Sequence, residues 1–229
     1  MILGATLGVV AAGAVVHGAF HRNSPLFGRV VTRLASRERE VALTFDDGPN
    51  ADATPAVLDA LAAADVRATF FVLGRHAERW PELVRRMAVE GHTVGNHGYF
   101  HRKLHLKSPA YVRRDLELGT ATIEAACGVR PRYFRAPHGF RSPWVTAIAS
   151  SLGQRTVGWS LGVWDSDRPG AETITRRAVA GVSPGALLLL HDGDGYDPQG
   201  DRMQTARALP SIISELRSLD YRFRALATE

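Results

Sequence analysis

Two adjacent carboxylates, Asp46 and Asp47, follow the apolar run 41–45 and precede a Gly48-Pro49 turn. Val41, Leu43 and Phe45 alternate with Ala42 and Thr44, which reads as a buried strand with the acidic pair at its end. Like charges side by side at such a place require a compensating cation or a shared proton. The ends of parallel strands are also where α/β folds carry their active sites. Taken alone, the pair reads rather as a solvated acidic turn.

Three further polar clusters make chemistry the stronger reading. In His97-Gly-Tyr-Phe-His101 the two imidazoles stand four residues apart, a spacing that puts both on one face of a helical turn. With Asp47 they would form a two-His, one-carboxylate set able to hold a divalent metal and leave positions for water and substrate. In Arg135-Ala-Pro-His-Gly139, an arginine at a strand end needs a carboxylate partner, and the Pro and Gly could aim a backbone N–H at a developing oxyanion. His191 emerges from the apolar run 186–190, where a histidine is well placed as a general acid or base. The acidic stretch 194–200 beside it reads as a solvated loop at the rim of a site.

Positioning these groups takes a repeating unit of apolar strand, turn and helix. Strands are expected at 41–45, 68–73, 92–96, 133–135, 156–161, 186–190 and 222–226. Helices are expected at about 56–64, 80–90, 109–126, 143–152, 172–180 and 204–219. Continuously apolar strands such as 187–190 require cover on both faces of the sheet, so a parallel α/β barrel or a doubly wound sheet is implied. All four clusters fall at the C-terminal ends of strands.

The 229 residues suit a single domain: an apolar segment at 1–20, a linker at 21–38 and a catalytic unit at 39–229. The net charge of +5 is scattered and gives no footprint for nucleic acid. Phosphate-cradling glycine motifs are missing, so no nucleotide is expected. With Cys127 as the only cysteine, any metal must be held by His and carboxylate. Residues 2–16 carry no charge and are continued by Gly18 to Phe20. That stretch is read as a membrane anchor or signal, with membrane contact through residues 2–20, and as a packing helix in the alternative. The corresponding location is the membrane or outside the cytoplasm, with a cytoplasmic one left open.

The run Thr44-Phe-Asp-Asp-Gly-Pro49 resembles the first motif of the polysaccharide deacetylase family, the NodB homology domain of carbohydrate esterase family four. His97 and His101 match its second motif, Arg135-Ala-Pro-His-Gly139 its third and Leu189-Leu-His191 its fifth, over about residues 39–226. The resemblance implies a distorted (β/α)7 barrel. It implies a divalent metal, most often zinc, on Asp47, His97 and His101, with Asp46 as general base and His191 as acid. Arg135 would orient Asp46, Asp165 would support a catalytic residue, and the N–H of His138 would serve the oxyanion. Trp164, Leu189 and Tyr99 are expected to contact substrate. The substrate implied is an N-acetylated, or O-acetylated, glycan: peptidoglycan, a chitin-like oligomer or an exopolysaccharide. A small linear or cyclic amide and a non-catalytic glycan-binding role are the alternatives. Three positions depart from the family pattern. Gly98 stands where Ser or Thr supports the loop, His138 where an aromatic is usual, and Gly162-Val-Trp-Asp-Ser166 where Asp-x-x-Asp-Trp is expected.

Overall fold

The computed structural model describes residues 13–36 and 38–227. Its strands are β1 (Glu40–Asp46), β2 (Thr69–Val72), β3 (Thr93–Asn96), β4 (Tyr133–Phe134), β5 (Arg155–Thr156), β6 (Leu161–Gly162), β7 (Ala186–His191) and β8 (Arg222–Phe223). Its helices are α1 (residues 13–20), α2 (Ala53–Ala63), α3 (Gly74–Arg79), α4 (Pro81–Val89), α5 (Pro109–Cys127), α6 (Pro143–Ser151), α7 (Ala171–Gly181) and α8 (Met203–Ser218). The strands pair in parallel in the order β5-β4-β3-β2-β1-β7-β6, and β8 joins the first residues of β1. The sheet curls into a half-barrel wrapped by helices, the distorted (β/α)7 architecture implied by the motifs.

Strand parity decides what faces the barrel interior. Val41, Leu43 and Phe45 of β1, with Leu188 and Leu190 of β7, belong to the large cluster shared with the outer helices. Ala42 and Leu187 belong to a smaller inner cluster with Phe71 and Tyr133. Asp46 and His191, in step with Ala42 and Leu187, therefore face inward. They are also register partners across the β1–β7 ladder, so the two adjacent strands deliver both groups to one place.

The expected strand 156–161 is not one strand. Arg155 and Thr156 pair with β4 at one edge, whereas Leu161 and Gly162 pair with β7 at the other. Between them the chain crosses the open side of the barrel. Residues of the expected linker patch this seam: Val31 bridges Val157, and Arg33 bridges Ala186. The short helix α3 was also missed, because its six residues are too few for a periodic signal.

The anchor reading of residues 2–20, and the membrane location and contact drawn from it, are corrected here. Among the described residues no helix is long and apolar enough to cross a membrane. Residues 1–12 lie outside the described residues. The C-terminal end of the segment docks on the domain: the Phe20 ring meets His105 and Phe140 at centroid distances of 4.9 and 5.2 Å. The Ala19 carbonyl accepts from the Arg141 N–H at 3.1 Å. The docked end agrees with the alternative reading of this stretch, a packing helix, rather than with the anchor.

Candidate active site

Asp47 sits just past β1 with φ 73°. Its Oδ1 lies 3.2 Å from His97 Nε2 and 3.0 Å from His101 Nε2. All three side chains are buried, and their ligand atoms fall within 4.8 Å of one another. The His97 Nδ1–H donates to the Arg135 carbonyl at 2.8 Å, which fixes the tautomer and leaves the Nε2 lone pair facing Asp47. Asp47 Oδ1 itself receives no donor hydrogen bond. A buried anionic oxygen facing imidazole nitrogens, without a donor, is the arrangement a divalent cation resolves. Burial works to raise the Asp47 carboxyl, but the charge and hydrogen bonds of the two imidazoles when protonated outweigh it and hold the group well below the usual carboxylate range.

The loop that carries the two histidines explains Gly98. The Gly98 N–H donates to Asn96 Oδ1 at 2.8 Å, and the Tyr99 and Phe100 N–H groups donate to the Asp115 carboxylate at 3.2 and 3.1 Å. A side chain at residue 98 would run into Asp115. Asp115 on α5 thus does the bracing that a hydroxyl in the motif would do. Asn96 and Asp115 escaped the sequence reading because neither lies in a chemistry-bearing cluster. His76 was missed for the same reason: its Nδ1 lies 2.8 Å from the Asp47 carbonyl. Burial, chiefly, pulls its pKa to about 4, so it holds the Asp47 backbone as a neutral donor.

Two carboxylate-anchored pairs flank the triad. Arg135, fully buried against the Phe71 ring at 4.1 Å, donates to Asp46 Oδ1 at 2.7 Å, Thr44 Oγ1 at 2.9 Å and the Gly158 carbonyl at 2.7 Å. Asp46 Oδ2 is left 3.9 Å from His97 Nε2, on the triad side. On the other flank Asp165, buried after β6, accepts from the His191 ring at 2.8 Å, the His191 N–H at 2.7 Å and Thr205 Oγ1 at 2.9 Å. Burial alone would depress His191, but the charge and hydrogen bond of Asp165 push it up to about 9. Below Asp46 and Asp47 lies another buried acid, Asp192, bonded to Thr54 Oγ1 at 2.6 Å. Burial pushes it up to about 7.

His138 has φ 58° and sets its ring 4.7 Å from that of His101, tilted by 51°. Its Nε2 is 2.8 Å from the hydroxyl of Tyr196, an exposed residue that sequence reasoning did not single out. Burial first, then the neighbouring histidines, lowers His138 to about 4. Tyr196 belongs to the acidic stretch 194–200, which is not simply solvated. Gly195 is buried against the His101 ring with no room for a side chain, and Arg202 donates to Asp194 at 2.7 Å.

A cavity of about 420 Å³ opens beside these groups, lined by Phe20, Arg22, His138, Phe140, Trp159, Trp164, Leu189 and His191 among others. Trp164 and Leu189 thus stand at the cavity. Tyr99 stands elsewhere: its ring covers Gly74 and its hydroxyl donates to Glu78. Asp47, His101, His138 and Trp164 are four of the seven non-glycine residues with positive φ among the described residues. Such backbone conformations concentrate where function holds them, a signal that sequence does not display.

A half-barrel with a His-His-Asp metal site at its C-terminal mouth, flanked by an arginine-held aspartate and an aspartate-held histidine, fits a metal-dependent hydrolase. Residues 33–157 match the family model described as polysaccharide deacetylase, and the chain belongs to that family. It is 40% identical over 200 residues to a chitooligosaccharide deacetylase of Bradyrhizobium sp. (strain ANU 289), covering 83% of this chain and 90% of the relative. It is 36% identical over 201 residues to a peptidoglycan-N-acetylglucosamine deacetylase of Bacillus cereus, covering 86% and 90%. A solved peptidoglycan N-acetylglucosamine deacetylase superposes with a TM-score of 0.81 at 33% identity, covering 86% of this chain and 90% of that one. A CE4 family pseudoenzyme from Bacillus anthracis superposes at 0.76 and 28% identity, covering 87% and 67%. Likeness of fold alone therefore does not carry activity. The metal triad together with the relatives does, and the chain is a metal-dependent deacetylase.

Proposed function

We propose that the chain removes acetyl groups from N-acetylglucosamine units of a glycan, with zinc on Asp47, His97 and His101. The observation that carries this reading is the pair of largely buried ion pairs beside the triad, Asp46 held by Arg135 and His191 held by Asp165, whose inner members can serve as proton carriers. A bound zinc ion supplies Lewis-acid polarisation of the acetyl carbonyl and acidifies water in its vicinity. Asp46, with Oδ1 tied to Arg135, keeps Oδ2 available to accept a proton from the attacking water. His191 donates its Nε2 proton to the departing nitrogen, and Asp165 keeps that proton available by holding Nδ1–H. The N–H of His138, whose backbone is left-handed at φ 58°, is the donor we assign to the carbonyl oxygen as charge develops. Trp164 and Leu189 contact the sugar. Trp164 is 65% exposed at the cavity edge, which favours an extended glycan over a small enclosed amide. Both proton carriers are present, which favours catalysis over binding alone.

The test is acetate release from N-acetylglucosamine oligomers and from peptidoglycan, using protein stripped with chelator and reloaded with zinc. Zinc-dependent acetate is expected, with kcat reduced about 10²–10⁴-fold in Asp46→Asn at unchanged zinc stoichiometry. A folded, zinc-loaded protein that releases no acetate from either would remove N-acetylglucosamine as the substrate.

A further inference from the structure

Among the described residues, Arg22 is the charged group lining the cavity that has no counter-ion. Arg135 is paired with Asp46, and His191 with Asp165. Arg22 has no ion pair among the described residues, and its buried Nε has no hydrogen-bond partner. It is nevertheless held in place. Its guanidinium lies over the Trp159 ring at 5.1 Å. Its carbonyl accepts from Arg141 at 3.4 Å, and the next residue, Asn23, donates to the Trp159 carbonyl at 2.8 Å. A Cβ at Gly139 would lie 2.8 Å from Arg22 Cβ and 2.9 Å from Trp159 Cη2, so the glycine is what lets the arm seat here. Ordering a long cationic side chain against an aromatic face leaves its planar N–H fork pre-organised for a carboxylate.

We infer that Arg22 is a specificity-determining residue that recognises a carboxylate on the glycan, so that the cleft prefers an acidic acetylated glycan to a neutral one. The inference rests on the deacetylase reading for its substrate class. Its geometry is local to the arm: Arg22 lines the same cavity as His191 and Trp164. A sugar face can rest on Trp164 while its acidic group meets Arg22. The partner is a carboxylated glycan, recognised by charge and by the bidentate geometry of guanidinium and carboxylate.

The experiment compares a fully N-acetylated chitin oligomer with the same oligomer oxidised to a carboxylate at C6, using the full chain loaded with zinc. Acetate release gives the ratio of kcat/KM on the acidic to the neutral oligomer. Tryptophan fluorescence titration gives the ratio of their dissociation constants without reference to turnover. Wild type is expected to favour the acidic oligomer, and Arg22→Gln to lower that preference about tenfold, the effect of one well-formed charge-assisted contact. Arg22→Lys, which keeps the charge and loses the fork, falls between them. The wild-type preference weakens as salt is raised, and that of Arg22→Gln does not. Equal preference in wild type and Arg22→Gln, whatever the absolute rates, overturns the assignment. If the acidic oligomer binds more tightly through Arg22 but no acetate appears, the anion site stands and the deacetylase reading of these glycans falls.

Discussion

The two flanks of the cleft are built differently. On the β1–β3 flank, side-chain direction follows from regular ladders: Thr44, Phe45 and Asp46 pair with residues 69–71, and residues 69–72 pair with 93–96. The metal ligands and Asp46 leave the ends of these strands. On the β5–β6 flank the strands are two residues each, and the chain crosses the seam between them. There Val31 donates to Thr156 at 2.9 Å and Gly158 to Val31 at 2.8 Å, so a segment far away in sequence completes the wall. Trp159, Trp164, Asp165 and the arm carrying Arg22 lie on this side. The contrast assigns tasks. Metal chemistry tolerates little displacement and sits on repetitive structure, whereas the recognition proposed for Trp164 and Arg22, together with Asp165 behind His191, sits on irregular chain that can change without unseating the ladders.

The sharpest way to break this division is at the ladder flank. His101→Asn removes a metal ligand while keeping a residue type that tolerates the φ of 56° found there. Outer-shell partners alone are worth about 10–100-fold in metal affinity, so loss of a direct ligand should weaken zinc binding by at least about 100-fold. Activity should fall with it at stoichiometric zinc. Competition with a chelator measures the affinity, and circular dichroism reports the fold. An unchanged zinc affinity would remove the metal from this flank.

The second effect reads the seam flank through His191. Its folded pKa of about 9 lies above the ordinary value of about 6.5. The charged imidazole therefore stabilises the fold fully below pH ~6.5, and that contribution is lost as pH rises through about 9. A cation beside Asp47 cancels the part of the shift that Asp47 contributes, so the alkaline limb of kcat lies at or somewhat below 9. In Asp165→Asn the limb should move toward ~6.5, with kcat near pH 8 falling by roughly 30-fold as the protonated fraction drops. The difference in melting temperature between wild type and variant should be greatest at acid pH and close toward alkaline pH. A limb that stays in place would separate Asp165 from the proton His191 carries.

The same division decides what the sequence could reveal. At 41–47 and 186–191 strand and motif were both legible, the first from alternation and the second from a continuous apolar run, whereas the parity that turns Asp46 and His191 inward came from the ladder register. The strand expected at 156–161 failed because its apolar pattern fits both edges of a sheet, and only barrel closure splits it. Asp115 and His76 were invisible because their work is hydrogen bonding to the backbone of other loops, at separations that no local pattern encodes. Arg22 lay beside an apolar segment whose composition pointed to a membrane. Nothing near it in sequence announces Trp159 or Gly139, the residues that hold it at the cleft.

The smallest effect belongs to the outermost residue of the seam flank. Trp164 is 65% exposed and left-handed at φ 56°, so its side chain supports little of the core. Truncation in Trp164→Ala should change stability by no more than ~0.5 kcal/mol, as for other surface positions. An aromatic face lost from a sugar contact is worth about 0.5–1.5 kcal/mol beyond area, which corresponds to a rise in KM of roughly 2–10-fold. The rise should grow with oligomer length, because longer chains reach the rim, while kcat on the longest oligomer stays within a factor of about two. Steady-state kinetics over an oligomer series checks both. If kcat fell and KM did not, the tryptophan would be working at the reacting centre, and the line between a chemical flank and a recognition flank would have to move inward to β6.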